Sequence, residues 1–155
     1  MHWKKDPVLH RYSSNYGHLD LDLELMRQAV AIIGKTQDFR AVCRQPDLYK
    51  NTICNIMDCQ IYVDELQGRL RFSITANRFL RGMIRFCVFF LLEVGTKKMS
   101  LEEMQAILNQ KKFLGKKKLA YPNGLFLSKV QYPFIQFEEK HQLIKMLKVG
   151  LENQD

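Results

Sequence analysis

The stretch LRFSITANRFLRGMIRFCVFFLLEVG, which covers residues 70–95, decides the fold that the sequence predicts. It begins with seven residues that alternate between apolar and polar side chains, which is the period of a half-buried β-strand. From Met83 to Gly95 nearly every residue is apolar, which is typical of a helix buried almost all round. A strand that leads into a buried helix indicates a sheet with a long helix packed on one face.

A second β-rich stretch, Thr52–Val63, lies before this strand, and the two are predicted to form a hairpin. The strand Leu70–Ala76 has one apolar face and one polar, basic face. The apolar face is predicted to be buried and consists of Leu70, Phe72, Ile74 and Ala76. The opposite face consists of Arg69, Arg71, Ser73 and Thr75.

Three helices are predicted from apolar spacing and capping residues. The first covers about 20–33, with Asp20 or Asp22 as its N-cap. The second is the buried helix, over about 78–94. The third is short and covers about 100–109, because its first four residues, SLEE, have the pattern of a capping box.

The last part of the chain is predicted to hold a strand over Leu125–Tyr132 and a helix over 138–149. With 155 residues, of which 46% are hydrophobic, the chain has the length and composition of one folded domain. Its elements predict an α+β fold, with a mostly antiparallel sheet and a long buried helix packed on one face, in a single domain over residues 1–155.

The chain is basic, with 24 lysines and arginines against 16 aspartates and glutamates and a net charge of +8. This excess favours an anionic partner, such as nucleic acid or an acidic membrane surface. The N-terminus lacks the apolar core of a secretion signal. The longest apolar run, Phe86–Leu92, is much shorter than the roughly 20 residues that span a bilayer. We therefore expect a soluble, cytoplasmic protein.

The cysteines and histidines show no metal-binding spacing. The four cysteines contain no CxxC pair, and the four histidines are scattered without an HxH or HxxxH pattern. Reduced thiols, some of them buried, are the expected state of the cysteines. The sequence therefore gives no reason to expect a structural zinc ion.

Arg78, Arg81 and Arg85 are spaced to fall on one stripe of the predicted buried helix, near its N-terminal half. Cations at that end oppose the helix dipole, and a buried guanidinium group needs a partner. Arg85, between Ile84 and Phe86 in the apolar run, is predicted to find an anion on another element, another chain or a ligand. The alternative, weaker for Arg85 than for Arg78 and Arg81, is that these side chains extend into solvent.

A lysine-rich loop follows the third helix. Its cations are Lys111, Lys112, Lys116, Lys117 and Lys118. Lysines with an interleaved phenylalanine suit contacts with phosphates, although a solvated loop is the simpler interpretation. With Arg78 and Arg81 they are the candidate RNA-binding residues. Composition and spacing by themselves lead no further than a basic α+β domain for which RNA is one candidate partner.

The segment Phe79–Arg85, continued by Leu91–Gly95, resembles the motif "FL..MVRN.VG.LLEVG" of the tRNA pseudouridine synthase A (TruA-type) family. Three further segments resemble the family in the same order: Leu23–Phe39 ("M..AA..L.G.HDF..F"), Phe72–Asn77, and Pro122–Pro133 ("P..GLYL..V.YP"). The resemblance covers about residues 6–134.

The resemblance implies an enzyme that isomerises uridines in the tRNA anticodon stem-loop to pseudouridine, without a metal or cofactor. Such enzymes are expected to consist of two related α+β halves on either side of a basic cleft and usually act as homodimers. The family's catalytic aspartate lies in a "GRTDAGVHA" motif, which this sequence does not contain. The chain therefore resembles the C-terminal half. Its expected partners are tRNA, a second copy and the N-terminal half, and alone it is predicted to be inactive.

Two site residues carry over from the family's motifs. Arg85 matches the arginine that pairs with the catalytic aspartate, and Leu125 matches the apolar wall of the uracil pocket. The sequence departs from the family pattern at Phe86, where asparagine is usual, at Phe89, where glycine is usual, and at Gln37, where histidine is common. The extra phenylalanines are predicted to crowd the neighbours of the helix.

Two other interpretations remain open from the sequence. One is a stand-alone RNA-binding or assembly module, which would bind tRNA without catalysing a reaction. The other is a fragment whose exposed apolar face, normally covered by the other half of the enzyme, forms non-native dimers.

Overall fold

The computed structural model describes residues 1–4, 7, 9–17, 19–66, 68–110, 119–132 and 134. The chain divides into two units, which are described separately. Unit 1 consists of Met1–Gly17, Val63–Arg71 and Pro122–Asp155, and unit 2 consists of His18–Tyr62 and Phe72–Tyr121. The single domain predicted from the sequence stays a prediction.

The regular structure of the described residues consists of three α-helices and a two-stranded antiparallel sheet. The helices are α1 (Leu23–Lys35), α2 (Met83–Gly95) and α3 (Leu101–Asn109), and the strands are β1 (Ile56–Asp64) and β2 (Arg69–Ala76). The predicted α+β fold class, with its hairpin and its buried helix, is therefore confirmed.

Helix α2 is buried because apolar residues occupy nearly every side of the helix. Its buried residues are Met83, Phe86, Cys87, Phe90, Leu91, Leu92, Val94 and Gly95. The helix begins five residues later than predicted, because its N-cap Gly82 has a left-handed backbone with φ of +78°. Arg78 and Arg81 precede this glycine, so the predicted helical stripe of three arginines is wrong.

Helix α1 packs against α2 in the core of unit 2. Its buried face consists of Met26, Ala29, Val30 and Ile33, at the spacing that an amphipathic helix requires. A Cβ atom added to Gly95 would lie 2.8 Å from Cγ of Met26, so the end of α2 is in close contact with α1. The backbone N–H of Asp22 donates to the carbonyl oxygen of Gly95, at 2.8 Å.

Of the two candidate caps, Asp22 is the N-cap of α1. Its Oδ1 accepts the backbone N–H of Leu25 at 3.1 Å, and its Oδ2 lies 3.2 Å from Nζ of Lys97. The Leu25 N–H and the Lys97 ammonium group hold the pKa of this carboxyl below its usual range. The cap therefore ties the start of α1 to the turn that follows α2.

The two strands differ in detail from their prediction. β1 begins at Ile56 and not at Thr52, because Thr52 and Cys54 pair their backbones with Gln37 and Phe39. On β2 only Leu70 is fully buried, and both faces of the strand are half-covered, apart from exposed Thr75. The clean division into a buried and a solvated face is therefore wrong.

In unit 1, the first residues of the chain lie beside the hairpin end. The backbone of Trp3 donates to Gly68, and Leu70 donates to Met1. The predicted strand Leu125–Tyr132 is wrong: residues 122–132 contain a turn followed by backbone that belongs to no strand, and no ladder of backbone hydrogen bonds joins them to other described residues. The predicted helix over 138–149 lies outside the described residues.

The predicted capping box at the start of α3 is confirmed. Oγ of Ser100 accepts the backbone N–H of Glu103 at 3.1 Å, and Oε2 of Glu103 accepts the backbone N–H of Ser100 at 2.9 Å. Two N–H groups that the helix leaves without partners are thereby satisfied.

We predict that Ser100→Ala lowers the free energy of unfolding by about 1 kcal/mol, because the N–H of Glu103 loses its acceptor. Ser100→Asp keeps an acceptor at the cap and is expected to restore the stability. Urea denaturation followed by circular dichroism measures both. Gln105→Ala, at an exposed position within α3, is the control and should change little. A Ser100→Ala protein as stable as the wild type would contradict the assigned cap.

Candidate functional site

Arg85 lies in the first turn of α2 and is held there by the segment before Tyr121. Its Nε donates a hydrogen bond of 2.7 Å to the carbonyl oxygen of Ala120. The backbone N–H of Ala120 donates to the carbonyl oxygen of Arg85 at 3.4 Å. The arginine is half-buried next to the fully buried Phe86. These contacts fix the guanidinium group along its Nε edge.

The other edge of the Arg85 guanidinium group is available for an anion. Within the part of the chain that the structure describes, Nη1 and Nη2 have no hydrogen-bond or ion-pair partner. Two parallel N–H groups match the two oxygens of a carboxylate or a phosphate. The first turn of a helix disfavours a cation, and a bound anion would offset that effect. This geometry suits the pairing that the sequence predicted for Arg85.

Arg78 does not point freely into solvent, as one interpretation of the sequence required. Its Nε donates to the carbonyl oxygen of Ile53 at 3.1 Å, and its Nη2 donates to the carbonyl oxygen and Oδ1 of Asn51, both at 2.7 Å. These three bonds attach the segment before β1 to the segment before α2. Arg78 therefore has a structural role, and its role in RNA binding stays a prediction.

Arg81 is exposed and is held by the loop that precedes β1. Its Nη1 donates to Oε1 of Gln45 at 2.6 Å, and its backbone N–H donates to the hydroxyl oxygen of Tyr49 at 3.1 Å. The sequence analysis missed one neighbour of Arg81. This neighbour is Arg44, whose backbone N–H donates to the carbonyl oxygen of Arg81. Nothing in the local sequence around Arg44 indicates this contact, which depends on tertiary structure.

Leu125 belongs to unit 1, whereas Arg85 belongs to unit 2. Leu125 is 51% exposed and follows Gly124, whose φ of +85° allows a tight turn. The turn is closed by the backbone N–H of Leu125, which donates to Pro122 at 3.2 Å. Oγ of Ser14 anchors it by donating to the carbonyl oxygen of Asn123 at 2.6 Å. The role of Leu125 as an apolar wall stays a prediction.

The predicted lysine cluster lies outside the described residues; its members are Lys111, Lys112, Lys116, Lys117 and Lys118. Among the residues described, no three histidine, cysteine, aspartate or glutamate side chains come together as a metal site would require. The described helices include none that is both long and apolar enough to cross a membrane.

The four thiols belong to the structure and not to a reactive site. Cys43, Cys54 and Cys87 are buried, and burial raises the pKa of each above the usual range of a thiol. Burial also raises the pKa of half-buried Cys59 to about 12. All four are thus protonated at neutral pH and are poor nucleophiles.

Two of the three departures from the resembled motif, Phe86 and Phe89, lie in α2, and the crowding predicted for them stays a prediction. Phe86 is 1% exposed and is among the largest fully buried side chains of unit 2. Phe89 is half-buried, with its ring centroid 5.9 Å from that of Phe90. At this separation aromatic rings attract each other. Gln37 is exposed and pairs its backbone with Cys54.

We predict that Arg78→Ala lowers the free energy of unfolding by about 1–2 kcal/mol, because two backbone carbonyl groups and one amide lose a charged donor. Thermal and urea unfolding measure this difference. Arg27→Ala is the matched control, since Arg27 is an exposed arginine that pairs only loosely with Glu24, and its effect should stay below about 0.5 kcal/mol. Equal stabilities for the two variants would contradict a structural role for Arg78.

Comparison with known proteins assigns most of the chain to one family. Residues 29–133 match the family model of the tRNA pseudouridine synthases. The chain is 30% identical to tRNA pseudouridine synthase A of Streptococcus sanguinis over 128 residues, which cover 83% of this chain and 51% of that protein. It is 35% identical to the same enzyme of Bacteroides fragilis over 121 residues, which cover 78% and 48%.

The chain therefore belongs to the tRNA pseudouridine synthase family. The motifs from which the sequence analysis identified the family lie mostly inside the matched region, and that identification is confirmed. The chain spans about half the length of the curated relatives that it matches.

Proposed function

We propose that this chain supplies the C-terminal half of a tRNA pseudouridine synthase that isomerises uridines in the anticodon stem-loop. The reaction breaks the bond between N1 of uracil and C1′ of ribose, forms a bond between C5 and C1′, releases the C5 hydrogen as a proton and leaves a proton taken up from solvent on N1. The observation that carries the proposal is the half-buried Arg85, whose Nη1 and Nη2 edge has no partner among the described residues and whose position resembles that of the arginine in the family motif.

In this proposal Arg85 pairs with the catalytic aspartate of the other half. A guanidinium group beside a carboxylate lowers the carboxyl pKa, keeps it ionised and orients both oxygens. The bond from Nε to Ala120 leaves the arginine one direction in which to bind. Leu125 supplies an apolar wall against the uracil, and the chain alone, without the aspartate, is inactive.

The exposed apolar segment of unit 1 supports a second half as the partner. Its exposed large apolar residues include Leu125, Phe126, Leu127, Val130 and Phe134. Exposed apolar side chains that form a contiguous surface patch mark interaction sites. The relatives are about twice as long as the matched region, so the other half of the same enzyme is the occupant that we propose.

tRNA is the substrate, and Arg78, Arg81 and the lysine cluster contribute to the basic surface that binds it, in line with the net charge of +8. A homodimer in the cytoplasm, with this chain as a single domain, completes the proposal. Neither a metal ion nor a cofactor takes part.

We predict that the chain alone releases no tritium from tRNA labelled at C5 of uridine, and that addition of a separately expressed N-terminal half from a relative starts the release. Arg85→Ala in the mixture is expected to lower the rate by roughly two orders of magnitude, because the catalytic carboxylate loses its charge partner. Arg85→Lys keeps the charge without the planar donor pair and is expected to have an intermediate rate.

Arg27→Ala serves as the matched control and should leave the rate unchanged, because Arg27 is exposed on α1. Release of tritium by the chain alone would contradict the division of the active site between two halves. Two folded and associated halves without activity would identify the chain as a stand-alone RNA-binding or assembly module. If the mixed halves with Arg85→Ala are as active as the mixed wild-type halves, the role proposed for Arg85 is wrong.

We predict that Leu127→Asp weakens association with the N-terminal half at least tenfold, because a carboxylate would be buried in an apolar contact. Leu48→Asp is the control, since Leu48 and Leu127 are both 75% exposed but lie in different units. Analytical ultracentrifugation of the mixed halves measures both. Equal association of the two variants with the N-terminal half would contradict the proposal that this segment binds that half. Association with a second copy alone would indicate dimers of this chain.

A further inference from the structure

Arg69 of unit 1 is an arginine to which the proposed function gives no role. The residue is half-buried, and its Nε is fully buried without a hydrogen-bond partner. Within the described part of the chain, no carboxylate forms an ion pair with it. A charge that is partly removed from water and has no counter-ion is unfavourable, so an anion that binds there stabilises the protein.

The backbone beside Arg69 is fixed by the first residues of the chain. His2 and Arg69 lie opposite each other in an antiparallel bridge, and the flanking N–H of Trp3 donates to the carbonyl oxygen of Gly68 at 3.0 Å. At a pair of this kind, which shares no hydrogen bond, the two side chains lie closest. His2 is 1% exposed. The Arg69 side chain therefore leaves the sheet next to a buried imidazole ring, which limits the positions open to its guanidinium group.

The same segment links Arg69 to the turn that carries Leu125. On its other side His2 forms a parallel bridge with Asn15. Oγ of Ser14, the residue before Asn15, anchors the turn. Neighbouring strands lie about 4.8 Å apart, so Asn15 and Arg69 are roughly 10 Å apart across the bridges. Arg69 is therefore close enough to the turn to contact the backbone of an RNA whose uracil lies against Leu125.

We propose that Arg69 binds a backbone phosphate of the tRNA, near the nucleotide whose uracil contacts Leu125. The inference rests on the proposed function, which supplies both the RNA and the role of Leu125. A guanidinium group matches the oxygens of a phosphodiester with two parallel donors. Because Arg69 is half-buried, salt screens this contact less than one made by a fully exposed side chain. Such a contact positions the RNA and carries no information about its sequence.

The first test uses inorganic phosphate and needs no tRNA. At constant ionic strength, replacing chloride by phosphate is expected to raise the melting temperature of the wild-type chain by about 2–4 °C more than that of Arg69→Met. General effects of phosphate on protein stability act on both proteins. In chloride Arg69→Met should be at least as stable as the wild type, because no described group loses a partner. Arg11→Met, at an exposed arginine of unit 1, is the matched control and should keep the wild-type response.

The second test is the salt dependence of tRNA binding by the full chain, measured by fluorescence anisotropy. Arg69→Met is expected to bind about tenfold more weakly at low salt, with a plot of log affinity against log salt that is shallower by about one. Arg69→Lys keeps the charge without the planar donors, and should keep most of the slope at an intermediate affinity. With the N-terminal half added, Arg69→Met should raise KM for tRNA and leave kcat unchanged, because the phosphate contact persists through the reaction.

The outcomes separate this inference from the proposed function. Equal stabilisation of the wild type and Arg69→Met by phosphate would overturn the site, whatever the tRNA does. Equal affinities and slopes for tRNA would overturn the assignment to RNA. Weaker association of Arg69→Met with the N-terminal half, with unchanged tRNA binding, would assign the guanidinium group to a carboxylate of that half and would also overturn the inference. A wild-type chain that binds no tRNA, alone or with that half, would overturn the proposed function and this inference together.

Discussion

The burial of α2 against α1 is the constraint on which the rest of unit 2 depends. Gly95 approaches Met26 so closely that a single added carbon atom would require the Met26 side chain or one of the two helices to shift. Because both helices are fixed by this contact, the first turn of α2 has a defined position, and so does Arg85 within it. An apolar interface thus determines where a charged, functional side chain is held.

Arg85 would be an unfavourable residue if stability alone decided the sequence. It places a cation in the first turn of a helix, half-buried beside apolar side chains, and its contact with Ala120 satisfies only Nε. Residues that oppose local preferences in this way tend to occur at functional sites. The same reasoning applies to Gln45, whose left-handed backbone is stabilised by a contact with Arg81.

Elements whose signals are local were predictable from the sequence, and elements that depend on distant partners were not. The capping box at Ser100 and the end of α2 at Gly95 follow from neighbouring residues. The start of α2 does not, because contacts with residues some 25 positions earlier in the chain hold Arg78 outside the helix, which begins only after the left-handed Gly82. A strand after Pro122 also failed as a prediction, since alternation of side chains cannot supply a partner for backbone hydrogen bonds.

The arginines show why a count of basic residues does not locate an RNA-binding surface. Arg78 uses its donors on backbone carbonyl groups inside unit 2, whereas Arg44 directs its guanidinium group at no described acceptor. Both contribute equally to the net charge of +8. What separates them is how many guanidinium donors the protein itself satisfies, since only the remaining donors gain hydrogen bonds when a phosphate arrives. An interface is therefore defined by the donors that folding leaves unused.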